Sequence, residues 1–96
     1  MSPVPMDVDR IIHEPARLHI ISILNVVEQV DFLFLLGETG LTRGNLSTHL
    51  TKLEEAGYIQ ITKTFRGKVP QTLCRLTAAG AEAFRQYRKT MQDIMG

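Results

Sequence analysis

Residues 41–58, LTRGNLSTHLTKLEEAGY, hold a density of small hydrogen-bonding side chains that calls for a chemical reason. Asn45 can pair with an adenine edge, Arg43 with guanine, and Ser47, Thr48 and Thr51 with several bases or with phosphate. Thr42 sits at the start of the run, Lys52 adds a cation, and Gly44 leaves room for close approach. Further along the chain Lys63, Arg66 and Lys68 surround Gly67. Readable donors and acceptors beside a cluster of cations suit one polyanion, duplex DNA. For the first stretch taken alone, a solvated polar face is the competing reading. The second group makes DNA the better one.

Other chemistries find little support. No nucleophile stands with a base, and no phosphate-cradling glycine loop or carboxylate pair is present, so neither catalysis nor a cofactor is expected. His13, His19 and His49 lack a cysteine pair or an acidic cluster at ligand spacing, so no metal site is expected. Cys74 is the single cysteine, which excludes an internal disulfide, and its apolar surroundings suggest packing rather than redox sensing.

The elements that position these residues can be read from periodicity and caps. Leu46, Leu50 and Leu53 fall within about 60° of one another on a helix, which turns Gly44, Thr48, Thr51 and Glu55 outward, with Asn45, Ser47 and Lys52 on the shoulders. His49 then lies beside Leu53, at the edge of the core, with a phosphate contact as the alternative. Thr42 caps this helix and Gly57 ends it. Before it, a helix begins near Pro15, Glu28–Val30 can form a short strand, and Asp31 caps a helix that stops at Thr39–Gly40. From Tyr58 the period becomes two: Ile59 and Ile61 alternate with polar residues, RGKVP turns the chain, and Cys74 and Leu76 return it as a β-hairpin. Thr77 caps a last helix in which Phe84, Tyr87, Met91 and Ile94 recur at helical spacing. The fold class is α+β, a winged helix-turn-helix that is mostly helical, with a two-stranded hairpin wing.

With 96 residues, of which 44% are hydrophobic, the chain suits one domain, spanning residues 10–96 behind a disordered leader at 1–9. Residues 1–41 carry a net charge of −4, residues 42–77 +4 and residues 78–96 +1, so the basic segment coincides with the helix and hairpin in question. No apolar run reaches the ~18 residues of a membrane span and no signal peptide is evident, so no membrane partner is expected and the location is taken as cytoplasmic.

LTRGNLSTHLTKLEEAGYI, followed by FRGKVPQTLCRLTAAGAEAF, closely resembles the small stand-alone winged-helix DNA-binding proteins of archaea and bacteria, relatives of the MarR and ArsR regulators. IIHEPARLHIISIL and DFLFLL extend the likeness over residues 11–87. It departs from the common pattern at Arg43, where Asp is frequent, and at Gln71, where Arg is frequent. The resemblance implies a homodimeric regulator that places its third helix in the major groove and its wing alongside; Ser47, Thr48 and Lys52 match positions that commonly face DNA. The apolar last helix (Phe84, Tyr87, Met91, Ile94 and Met95), with Leu18 and Ile21 of the first, is the expected dimer surface. Two alternatives remain at this point: a winged helix serving as a protein interaction module, and a regulator with a small-molecule pocket at the dimer interface, whose effector the sequence does not name.

Overall fold

A computed structural model describes residues 7–96. The elements are α1 (Pro15–Val26), β1 (Val30–Asp31), α2 (Phe32–Thr39), α3 (Arg43–Glu55), β2 (Ile59–Arg66), β3 (Val69–Leu76) and α4 (Ala78–Met95). Residues 1–6 of the expected leader lie outside the described residues. Asp9, assigned to that leader, instead belongs to the fold. Its Oδ1 accepts the amides of Ile11 and Ile12 at 2.9 and 3.1 Å, and its Oδ2 accepts the Tyr58 hydroxyl.

Caps set most of the helix boundaries. Glu14 accepts the Arg17 amide at 2.8 Å, with Pro15 in the first turn, where its missing N–H costs nothing. Asp31 and Thr42 accept the amides of Phe34 and Asn45 at 2.8 and 3.2 Å. α3 ends with Gly57 in the left-handed region (φ 80°), its amide on Glu54 O and that of Tyr58 on Leu53 O. This is the paired bonding of a Schellman terminus, which turns the chain sharply into the hairpin.

The winged-helix expectation holds, with one addition: the sheet has three strands, in the order β1-β3-β2. β1 begins later than Glu28 and pairs Val30 with Cys74 and Asp31 with Leu73, so a third strand flanks the hairpin. The core lies between this sheet and the helices: Ile20, Ile21 and Leu24 of α1, Leu35 of α2 and Leu46, Leu50 and Leu53 of α3 meet Ile59 and Cys74. Cys74 has no exposed surface, and burial, with the nearby Glu54 and Asp31 charges, pushes its thiol up to about 11. This is a packing cysteine.

Three residues expected at a dimer surface are instead used within the chain. Ile21 is fully buried, and Phe84 and Tyr87 are 7% and 6% exposed, because the first half of α4 lies on the core. The Tyr87 hydroxyl also meets His13 Nδ1 at 2.7 Å.

The wing and α4 share a tight junction. Thr77 donates its amide to Tyr58 O at 3.0 Å and its hydroxyl to Gly57 O at 2.6 Å, while its Oγ1 accepts the Gly80 amide at 3.0 Å. A Cβ on Gly80 would stand 2.1 Å from Tyr58 O and 2.8 Å from Leu76 Cδ1. Gly80→Ala is therefore expected to lower the denaturant midpoint by the equivalent of about 2 kcal/mol or more. A midpoint equal to the parent's would contradict the close approach.

The Tyr58–Asp9 bond gives an alkaline signature. Donation to the Asp9 carboxylate, then burial and the Asp9 charge, push the Tyr58 phenol from 10.0 up to about 12. A raised acid is held neutral by the fold, so its contribution is complete below pH 10 and fades as pH climbs toward 12. Stability of the parent should fall more steeply across that window than stability of Tyr58→Phe, as read by denaturant melts at stepped pH.

Candidate nucleic-acid interface

With its leucines inward, α3 presents every polar candidate to solvent: Arg43, Gly44, Asn45, Ser47, Thr48, Thr51 and Lys52 are all exposed, as is the cap Thr42. The sequence treats that exposure as one face, but the wing divides it. Arg43, Ser47 and Thr51 line a groove of about 730 Å³ between α3 and the wing, opposite Lys63 and Thr72, over a floor formed by Phe32, Leu50 and Ile61. Glu54 also lines this groove. At 100° per residue Gly44, Thr48, Lys52 and Asn45 follow around the helix away from the wing.

Local bonding refines what each side chain can offer. Thr42 Oγ1 is occupied by the Asn45 amide, so its first role is to start the helix. The first backbone bond within α3 runs from the Leu46 amide to Thr42 O, which leaves the amides of Arg43 and Gly44 ahead of the ladder, at the positive end of the helix dipole. Thr48 donates its hydroxyl to Gly44 O at 3.0 Å. It therefore faces outward with an accepting oxygen and a methyl group, the latter suited to a thymine methyl.

Behind the helix, His49 is partly buried and its Nδ1 lies 3.1 Å from Arg17 Nη1. A guanidinium only donates, so Nδ1 accepts and a neutral ring carries its proton on Nε2. Arg17 Nε donates to Ile11 O at 2.6 Å, and Glu14 Oε1 stands 3.8 Å from His49 Nδ1. His49 thus ties α3 to the start of α1, in keeping with the structural role read from its angle beside Leu53. Gln71 donates to Asp31 Oδ2 at 3.3 Å, binding the wing to the cap of α2, while Arg43 supplies a cation in the groove.

The wing carries the remaining cations. β2 and β3 pair from Ile59↔Leu76 to Arg66↔Val69 and are joined by Gly67 and Lys68 alone. Gly67 has φ 65° and, among the described residues, no non-glycine residue has positive φ, the pattern of a type II′ turn, whose twist suits a hairpin. Among the described residues the contacts between basic and acidic side chains are the Arg85–Glu82 ion pair and the approach of His49 to Glu14, where the ring presents its accepting nitrogen, so Arg43, Lys52, Lys63, Arg66 and Lys68 are exposed cations without a carboxylate partner. Sequence reasoning misses Phe65 and Thr72; the signal that could find Phe65 is an aromatic residue between two cations of a strand.

A model of the winged helix DNA-binding domain matches residues 16–95. The chain belongs to this family. An uncharacterised protein of Methanocaldococcus jannaschii is 35% identical to this winged-helix protein over 79 residues, covering 81% of this chain and 85% of that one. Among solved structures, a transcriptional regulator homologue from Pyrococcus horikoshii OT3 superposes with a TM-score of 0.85 at 25% identity, over 91% of this chain and 86% of that one. NadR, solved with 4-hydroxyphenylacetate, shares the fold with a TM-score of 0.71 at 22% identity, over 90% of this chain and 68% of its own. Among the described residues, no helix of this winged-helix domain is long and apolar enough to cross a membrane.

Gly44 separates what the fold needs from what the surface needs. A Cβ there would meet nothing within 4 Å, so packing gives no reason for glycine inside the first turn. Gly44→Ala is expected to raise folding stability by up to about 1 kcal/mol, since glycine is a poor helix former. The same variant is expected to weaken duplex binding by obstructing approach to the helix N-terminus. Thermal melts and anisotropy titrations on one preparation would test both directions; tighter or equal binding would contradict a close backbone approach.

Proposed function

We propose that this protein is a sequence-specific, duplex-DNA-binding transcriptional regulator acting as a homodimer, with α3 in the major groove and the wing against the adjacent backbone or minor groove. The observation that carries this reading is the set of exposed, unpaired cations Arg43, Lys52, Lys63, Arg66 and Lys68 flanking a helix face of small polar residues. Cations flanking that face can neutralise phosphates and fix register, while Asn45, Ser47, Thr48 and Thr51 are short enough to let the helix reach base edges. Glu54 discourages phosphate at its end of the groove, which favours backbone contacts nearer Arg43 and Lys63. The polar character of α3 argues against a protein-docking role for this face.

The homodimer rests on the far half of α4. Beyond Tyr87 the apolar row continues through Met91 and Ile94, both half-buried, to Met95, which is 77% exposed, and Leu18 of α1 is half-buried. These four residues are the retained dimer candidates. Two-fold pairing would set two α3 helices in successive major grooves about 34 Å apart on a pseudo-palindromic site.

Duplex affinity is expected to fall steeply with salt, and Arg66→Ala with Lys68→Ala should reduce the slope of log K against log salt by about one for each phosphate no longer neutralised, or about four for a dimer. Anisotropy titrations across a salt series measure this, and light scattering at micromolar concentration measures the mass. Salt-indifferent binding would remove the DNA reading, and a monomeric mass the homodimer.

A further inference from the structure

The wing tip exposes an aromatic ring that the fold does not use. Phe65 is 68% exposed and stands outside the hydrophobic cluster. It shares a face of β2 with Ile59, Ile61 and Lys63, the side that covers the core and lines the groove beside α3. Four residues beyond Ile61, it projects about 13 Å past the core on that side. Its cross-strand partner is Pro70, also exposed, so the two form a rigid apolar pair just behind the Gly67–Lys68 turn. Strands favour aromatic residues because neighbours pack against them, and at this tip only Pro70 stands opposite.

The surroundings select the occupant. Lys63 lies two residues back on the same face, and Arg66 and Lys68 follow immediately. An apolar tip ringed by cations is complementary to a polyanion with an apolar interior and repels a second copy of itself. Duplex DNA has this character: phosphates outside, stacked bases within, and a minor groove that apolar side chains enter by prising apart a base step.

We propose that Phe65, backed by Pro70, is a wedge that enters the minor groove flanking the sequence read by α3, and that it makes the protein prefer deformable flanking steps. This rests on the DNA-binding reading above. Lys63, Arg66 and Lys68 hold the flanking phosphates while the ring contacts sugars and the edge of an opened step. The energetic cost of opening depends on sequence, being lowest at pyrimidine–purine steps such as TA, so selectivity arises at a position where no hydrogen bond reads a base. Because the ring is neutral, its contribution adds affinity without adding salt dependence.

The test uses a duplex selected by the parent protein from a random pool, with the flanking step then set to TA or to G·C. Affinities of the parent, Phe65→Ala and Phe65→Leu are measured by anisotropy over a salt series, with folding checked by circular dichroism and mass by light scattering. Phe65→Ala should lose about tenfold on the TA-flanked duplex, much less on the G·C-flanked one, with an unchanged salt slope, and Phe65→Leu should recover part of the loss. Equal binding by parent and Phe65→Ala, or equal loss on both duplexes, overturns the wedge. A change of mass in Phe65→Ala overturns it in favour of self-association. If the parent binds no duplex at low salt, the DNA reading itself fails, an outcome distinct from a parent that binds and a variant that binds equally well.

Discussion

The Tyr58 carbonyl is the point on which the rest of the architecture depends. It follows the Schellman end of α3, precedes the first residue of β2, accepts the amide of Thr77 at 3.0 Å and is covered by Gly80 of α4. One peptide group therefore joins the end of α3, the base of both wing strands and the start of the last helix. A shift of any of them would open a buried backbone bond, at a cost comparable to a lost hydrogen bond plus desolvation. The angle between α3 and the wing, and hence the width of the groove between them, is set in the interior rather than at the surface.

A second set of ties holds α3 from the other side. Its leucines sit in the core, while His49 reaches Arg17, whose guanidinium also holds the Ile11 carbonyl. Asp9 adds the N-terminal segment through Tyr58. These contacts use the inward flank and the C-terminal end of the helix. Among the described residues the outward flank makes no long-range bond, and Thr48 closes onto its own helix.

Much of this was legible in the sequence because the signals are local. Thr42, Asp31 and Thr77 cap where short polar residues precede apolar periodicity, Gly57 ends α3 in the left-handed region, and Leu46, Leu50 and Leu53 mark the buried stripe. What failed was information held between elements. Periodicity identifies Phe84, Tyr87 and Ile21 as apolar but does not say whether their own chain or another covers them; their own chain does. Likewise, spacing turned Ser47 and Thr51 outward, but only the packed wing shows that they share a groove with Lys63. The pairing of β1 with β3 and the anchoring of Asp9 depend on partners more than 40 residues away, which no window of local sequence contains.

The division of labour within α3 bears on how such a protein diverges. Asn45, Ser47, Thr48, Thr51 and Lys52 can be exchanged without disturbing a core contact, whereas Leu46, Leu50, Leu53 and the Gly57–Tyr58 terminus cannot. On the DNA-reading role proposed for α3, two genes descended from one ancestor would thus come to address different promoters through a handful of codon changes on one helix. The scaffold passes unaltered through every intermediate.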